Sequence, residues 1–499
     1  MAIAQGALSL GMANTKTQQP NIVYLMTDDQ RCQAFGCYGH PEFETHTIDR
    51  LASEGVIFDN AFHAVAICMP SRVTVMTGRY FASHNSGFTY PHNTPVTKDG
   101  FKDSYSAVLK KAGYRTGFIG KFGFNVEGAV ETLKSTFDYY DAHEVHTNVG
   151  AARWADVPNA FDNLSVGREV TERTLKKGDS MMRFLETQPA DQPFILSVSF
   201  DAVKNDSDKD MHVPDKQYFE QTPMTVRGNW SEGPNERLPE VVKNYARGVK
   251  LHMHKTSTPA LYQSLARRFA AQGKTVDNQV ARLLKKLEDM GVLDNTVIIY
   301  TSDNGRQQGS QGIFDKCLLY EESVKAPLII WDGRVAAEGK GKRVDALVST
   351  TDYAPTILSI AGANIPKSMQ GHSLTGVIDN TEDLTQWRDE VFMENLFISE
   401  IHSRGHHAKL KGETLDFPAM NEEIIANNRS YRSRGVRTKQ FKYFCYYEHT
   451  PNVEELYDLE ADPFEKHNLA NDPAYAETLA SLRSKTLSLH QEFIKWITK

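Results

Sequence analysis

Cys68 is followed by Met69, Pro70, Ser71 and Arg72, and the run continues to Thr77, Gly78 and Arg79. Pro70 suits the first turn of a helix, where its missing N–H has no partner to lose. Cys68 then stands at a helix N-terminus, where backbone N–H groups and the dipole favour negative charge. Arg72 and Arg79 add fixed positive charge close by, and a guanidinium grips a tetrahedral oxyanion with two bonds. The first inference is a nucleophile in an anion hole. Two groups of oxygen donors lie elsewhere: Asp28-Asp29 after the run Asn21–Met26, and Ser302-Asp303-Asn304-Gly305 after Thr296–Thr301. Each run suits a strand buried on both faces, which leaves the oxygens at strand carboxyl ends, where open α/β sheets bind ligands. Adjacent carboxylates repel, and a hard cation such as calcium or magnesium neutralises them.

The spacing C-x-P-S-R-x-x-x-x-T-G-R over residues 68–79 resembles the signature of the type I sulfatases, with every fixed position met. The resemblance implies that a maturation enzyme oxidises Cys68 to formylglycine, whose hydrate supplies the attacking hydroxyl. Residues 113–121 are similar to the family element G-Y-x-T-x-x-x-G-K, which implies that Lys121 touches formylglycine and sulfate. Lys316, after Phe314-Asp315, matches a family lysine that contacts sulfate. Asp28, Asp29, Asp303, Asn304 and the modified Cys68 resemble the family's metal site, which implies Ca2+ as the cofactor, with Mg2+ as the alternative. Asn304 stands where related phosphoryl-transfer enzymes of the superfamily tend to have His. Arg72 is expected to support the hydrate.

The chain departs from the family pattern twice. After Lys121 come Phe122 and Gly123, where many sulfatases carry an aromatic residue and then a His; His143 and His146 are candidates to replace it. After the strand expected at residues 192–200, the family's Pro-His pair is missing. Here the chain has Ala202-Val203-Lys204, a polar loop, and then His212-Val213-Pro214. His212 is favoured as general acid, because imidazole suits proton donation near neutral pH. Lys204, in the register of the missing His, is the alternative donor or a sulfate ligand.

Whole-chain properties bound these readings. The 499 residues allow two to four domains and a large core. No apolar run approaches the ~20 residues of a membrane span. A net charge of −7, from 63 acids against 56 bases, argues against general nucleic-acid affinity but not against a local basic pocket. Five Cys at 32, 37, 68, 317 and 445 form no disulfide framework and no zinc set. Residues 2–14 are small and apolar without a positive start. They read as an unstructured tail or as the trailing part of a secretory signal, and the latter gives a periplasmic or secreted location.

Strands alternate with helices from residue 21 to about 362, which implies a mostly parallel sheet covered by helices on both faces. The resemblance makes this an α/β, alkaline-phosphatase-like sandwich with a smaller C-terminal α+β subdomain built on an antiparallel sheet. The expected division is 1–19 tail, 20–385 catalytic domain and 386–499 subdomain. An unusual insert holds His402, Arg404, His406, His407 and Arg432, and is read as a solvated loop, with the lining of a pocket for an acidic saccharide as the alternative. The function implied is hydrolysis of sulfate esters on a sulfated saccharide. A phosphonate or phosphate ester hydrolase, or a non-catalytic sulfoglycan-binding protein, are the alternatives.

Overall fold

The computed structural model describes residues 19–143, 170–204, 222–233, 235–244, 246–335 and 341–495. Its strands are β1 (Asn21–Thr27), β2 (Val56–Phe58), β3 (Ala61–Phe62), β4 (Arg115–Lys121), β5 (Tyr139–His143), β6 (Phe194–Ser199) and β7 (Thr296–Ser302). Then come β8 (Leu328–Asp332), β9 (Lys342–Val344), β10 (Val348–Ser349), β11 (Val391–Asn395), β12 (Ser433–Arg437), β13 (Phe441–Tyr446) and β14 (Val453–Asp458). Eight of them form one sheet in the order β5-β4-β6-β1-β7-β8-β2-β9. Only β8 runs against its neighbours. The sheet is therefore mostly parallel, as the alternation of strands and helices requires.

β1 sits in the middle, between β6 and β7. Side chains alternate along a strand, so Ile22, Tyr24 and Met26 enter one core while Val23 and Leu25 enter the other. Both faces are dry, which explains the unbroken apolar run. The helices Val170–Glu186 and Pro259–Asp289 cover the second face, burying Phe184, Phe269, Val276, Val280 and Leu283. Thr258 opens the longer one, its hydroxyl accepting from the Leu261 N–H at 3.3 Å.

A second sheet, β11-β12-β13-β14, is antiparallel throughout and is followed by the helix Ala476–Ile494. The stretch 56–62 forms two strands, β2 and β3, which pair with different partners. One local expectation is corrected. The insert near 402 is not a loop: it forms the helices Ser399–Lys411 and Phe417–Ala426. Ile398, Ile401 and Ile424 anchor it in the third core. That burial outweighs the weak helix propensity of its His and Gly residues.

Candidate active site

The parallel strands β1 and β7 are in register, with Thr27 opposite Ser302, so the residues beyond them emerge side by side. The Asp303 N–H donates to the Thr27 carbonyl at 2.9 Å, and the Asp29 N–H to Asp303 Oδ1 at 3.1 Å. Asp29 turns with φ 63°, a conformation that Asp tolerates better than most residues. The loop after β6 is sewn to the same point, through Asp28 N–H to Ala202 O (2.8 Å) and Val203 N–H to Asp28 O (2.9 Å).

The helix Cys68–Thr77 brings its first residue to this edge. All ten of its residues are buried. It starts at Cys68 and ends at Gly78, whose φ of 64° makes the usual left-handed stop. Donor atoms of Asp28, Asp29, Cys68 and Asp303 lie within 4.8 Å of one another. The amide of Asn304 joins them, its Nδ2 donating to Asp29 Oδ1 at 2.7 Å.

A ring of cations surrounds these acids. Arg72 donates to Asp303 Oδ2 from Nε (3.0 Å) and Nη2 (2.7 Å), and Nη2 also reaches Asp28 Oδ2 at 3.3 Å. Its Nη1 donates to the Lys121 carbonyl at 2.7 Å and to the Ser199 hydroxyl. Lys121 Nζ donates to Asp28 Oδ2 at 2.5 Å. Lys316 Nζ donates to Asp29 Oδ1 and lies 2.6 Å from Cys68 Sγ. Arg306 Nη1 holds Asp29 Oδ2 at 2.8 Å, its guanidinium lying 4.4 Å from the centre of the Phe314 ring.

Burial would raise every acid here, but the charges differ. Burial raises Asp28 too, yet Lys121, Lys204, Lys316 and Arg72 outweigh it and hold Asp28 well below the usual carboxylate range. Asp303 is raised, first by burial and then by the neighbouring Asp28. Burial also pushes the Cys68 thiol up to about 11, with Asp28 adding to it. Three carboxylates, an amide and a buried sulfur, all converging, are a donor set that suits a hard divalent cation. Asp28 Oδ1 faces Cys68 Sγ at 3.7 Å while its other oxygen takes the protein cations.

Cys68, Lys121 and Lys316 line a cleft of about 340 Å³, together with Lys204, Arg247, Phe88, Phe397 and His402. The structure thus brings together Asp28, Asp29, Cys68, Arg72, Lys121, Asp303, Asn304 and Lys316, with Lys204 on the rim. His212 and His146 lie outside the described residues. His143 ends β5 opposite Lys121 of β4.

Three corrections follow. Arg79 is not in the anion hole: it lies past the helix end and donates to the Ser83 carbonyl at 3.3 Å. Arg432 is fully buried and is not among the residues that line the cleft. Arg404, on the helical insert, pairs with Glu400 at 3.1 Å instead of facing the cleft acids. Gly123 also has a physical reason. It has φ 80°, and a Cβ there would come within 2.7 Å of Arg72 Cδ, so the arginine uses the space that a side chain would fill. Sequence reasoning missed Arg306. Its signal was only a cation two residues after Asn304.

A family profile described as Sulfatase matches residues 20–363, and one described as N-sulphoglucosamine sulphohydrolase, C-terminal, matches 422–492. An N-acetylglucosamine-6-O-sulfatase of Bacteroides thetaiotaomicron is 28% identical, the alignment covering 93% of this chain and 84% of the relative. A solved complex with its substrate D-glucosamine-2-N,6-O-disulfate aligns over 96% of this chain and 98% of its own, at TM-score 0.70 and 23% identity. A phosphonate monoester hydrolase of Agrobacterium radiobacter shares the fold at TM-score 0.69 and 21% identity, over 95% of this chain and 96% of its own.

Proposed function

The chain belongs to the sulfatase family of sulfuric ester hydrolases, and on that premise we propose that it hydrolyses sulfate esters of saccharides at the Cys68 cleft. The observation that carries the reading is the convergence of Asp28, Asp29 and Asp303 on Cys68, with Lys121 and Lys316 beside them. The family implies a formylglycine at the cysteine and a metal ion; we take these to be formylglycine-68, made by a maturation enzyme, and calcium on Asp28, Asp29, Asp303 and Asn304. When present, they supply an attacking hydroxyl and a Lewis acid.

The chain's own residues supply the rest. Lys121 and Lys316 neutralise charge on the sulfuryl oxygens, as preorganised groups that need no rearrangement during the reaction. Arg72 fixes Asp28 and Asp303 in place. His212, or Lys204 on the cleft rim, protonates the departing alcohol oxygen. The catalytic domain is taken as 20–385 and the C-terminal subdomain as 386–499, a division supported by the change from the eight-stranded to the four-stranded sheet. Among the described residues no helix is long and apolar enough to cross a membrane. Export to the periplasm or medium is part of the same reading.

The phosphonate hydrolase likeness sets the competing outcome. Protein verified by mass to carry the aldehyde should release sulfate from sugar sulfates with higher kcat/KM than it releases product from matched phosphonate and phosphate esters. Dominant phosphonate turnover would assign the site to the other chemistry, and saccharide binding without any turnover would make it a binding protein.

A further inference from the structure

The same cleft has an aromatic wall that the bond-breaking chemistry does not use. Phe88 comes from the loop after the short helix Phe81–His84. Phe397 and His402 come from the segment after β11 and the start of the helix Ser399–Lys411. The three rings touch pairwise, with centroids 6.0 Å apart for Phe88–Phe397, 5.5 Å for Phe88–His402 and 5.7 Å for Phe397–His402. Phe397 is buried against the third core, and His402 is exposed on the cleft rim.

What holds the two sides of this wall together is one buried cation. Arg432 is 1% exposed. Its Nε donates to the Leu396 carbonyl at 3.0 Å, next to Phe397, and its Nη2 to the Tyr90 carbonyl at 2.7 Å, two residues after Phe88. Its Nη1 is taken by Asn421 Oδ1 at 2.8 Å and Glu448 Oε1 at 3.1 Å. Burying a guanidinium is expensive and is offset only when its donors are satisfied. Here they are satisfied by the two backbones that carry the wall together with the Asn421 and Glu448 side chains.

A substrate with its sulfate against Lys121 and Lys316 must place its leaving group on the remaining lining. A cleft of about 340 Å³ is at the small end of ligand sites and suits one ring with its sulfate. The rim is polar, with Lys204, His402 and an Arg247 whose Nε donates to Asp315 Oδ2 at 2.7 Å. A wholly apolar leaving group would desolvate those groups without replacing their bonds. A polyhydroxylated ring, with C–H faces for the aromatic rings and hydroxyls for the rim, matches both surfaces.

We propose that Phe88, Phe397 and His402 form the leaving-group subsite, which takes one pyranose ring with His402 hydrogen-bonding a ring hydroxyl, and that Arg432 is its positioning residue. This rests on the sulfate-ester reading above. The test uses metal-loaded, aldehyde-bearing enzyme and compares kcat/KM on N-acetylglucosamine 6-sulfate and galactose 6-sulfate with that on 4-nitrophenyl sulfate. His402→Ala and Phe397→Ala should each lower the better sugar ester's value at least about tenfold more than the nitrophenyl ester's, mainly through KM. His402→Gln should recover most of that loss, and Arg432→Met should reproduce the KM effect without removing a cleft side chain. Equal losses on both classes of ester would overturn the proposal, and a larger loss on the nitrophenyl ester would give the wall to an aryl group. If the wild type cleaves neither class, titration calorimetry with the two sugar sulfates separates the failures. Binding that His402→Ala weakens keeps the subsite and discards the reaction, while no binding discards the subsite.

Discussion

At the ends of β1 and β7, three carboxylates converge on a thiol that lines a cleft. In the C-terminal part a second set of charges is equally buried but arranged the other way. Lys442, fully buried, lies between Glu321 (3.1 Å) and Glu465, and Arg437 Nε reaches Glu321 at 3.2 Å. Glu465 Oε2 also accepts the Glu321 N–H at 2.8 Å, and the Tyr320 hydroxyl donates to Glu455 at 3.0 Å. Opposite charges alternate there and close on one another. The first set gathers three carboxylates and a thiol at one point, with Lys316, Lys121 and Arg72 reaching them from the protein around it. The contrast separates a cluster of like charges beside a cleft from a strut that ties the loop after Lys316 to the second sheet. Burial of charge alone does not tell them apart; the order of the signs does.

Substitutions should divide along that line. Cys68→Ala is expected to lower sulfate release at least about 1,000-fold. Its unfolding free energy should move by no more than about 1–2 kcal/mol, read by urea titration. Lys442→Met should do the reverse. It leaves Glu465 buried without its cation and Glu321 with Arg437 alone, at a cost of about 3–5 kcal/mol, while kcat below the melting range stays within a few-fold. Abolished turnover in a Lys442→Met protein of unchanged stability would contradict this division between site and strut.

Glu394 of β11 sharpens it, as a buried acid with no cation bonded to it among the described contacts. Burial pushes it up to about 7, against the Ala82 N–H that it accepts at 2.6 Å. The folded state therefore keeps a proton that the unfolded chain gives up above its ordinary pKa of about 4.3. Stability should fall as pH rises from there to about 7 and level off above it, by on the order of 3 kcal/mol. Glu394→Gln should flatten that slope in unfolding measured at pH 5 and pH 8. The smallest effect is expected at Gly123. An alanine there is strained at φ 80° and crowds Arg72 Cδ, so kcat/KM should drop about tenfold, or ~1.4 kcal/mol, with metal content unchanged by elemental analysis.

The convergence at the strand ends was legible because each apolar run stops at its oxygens: Met26 before Thr27-Asp28-Asp29, Thr301 before Ser302-Asp303-Asn304. Parallel pairing in register then brings the two ends together, which local pattern implies once the strands are buried on both faces. Arg306 and Ser199 were not legible. Each acts through a contact more than 120 positions away in the chain, with Asp29 and Arg72 respectively. The insert near 402 was misread because its His, Arg and Gly residues look like a polar loop, while the apolar positions 398, 401 and 408 that fix a helix are sparse. Arg79 shows the opposite error. A cation close in sequence was placed in the site, but the left-handed turn at Gly78 carries the chain away.

Asp28, Asp29 and Asp303 are proposed to hold one divalent ion beside residue 68. The direct measurement is titration calorimetry of calcium into metal-stripped protein, for the wild type and Asp303→Asn. One ion per chain is expected in the wild type and at least about 100-fold weaker binding in the variant, or ~2.7 kcal/mol. Equal affinity in the two proteins, or no calcium bound by the wild type, would contradict it.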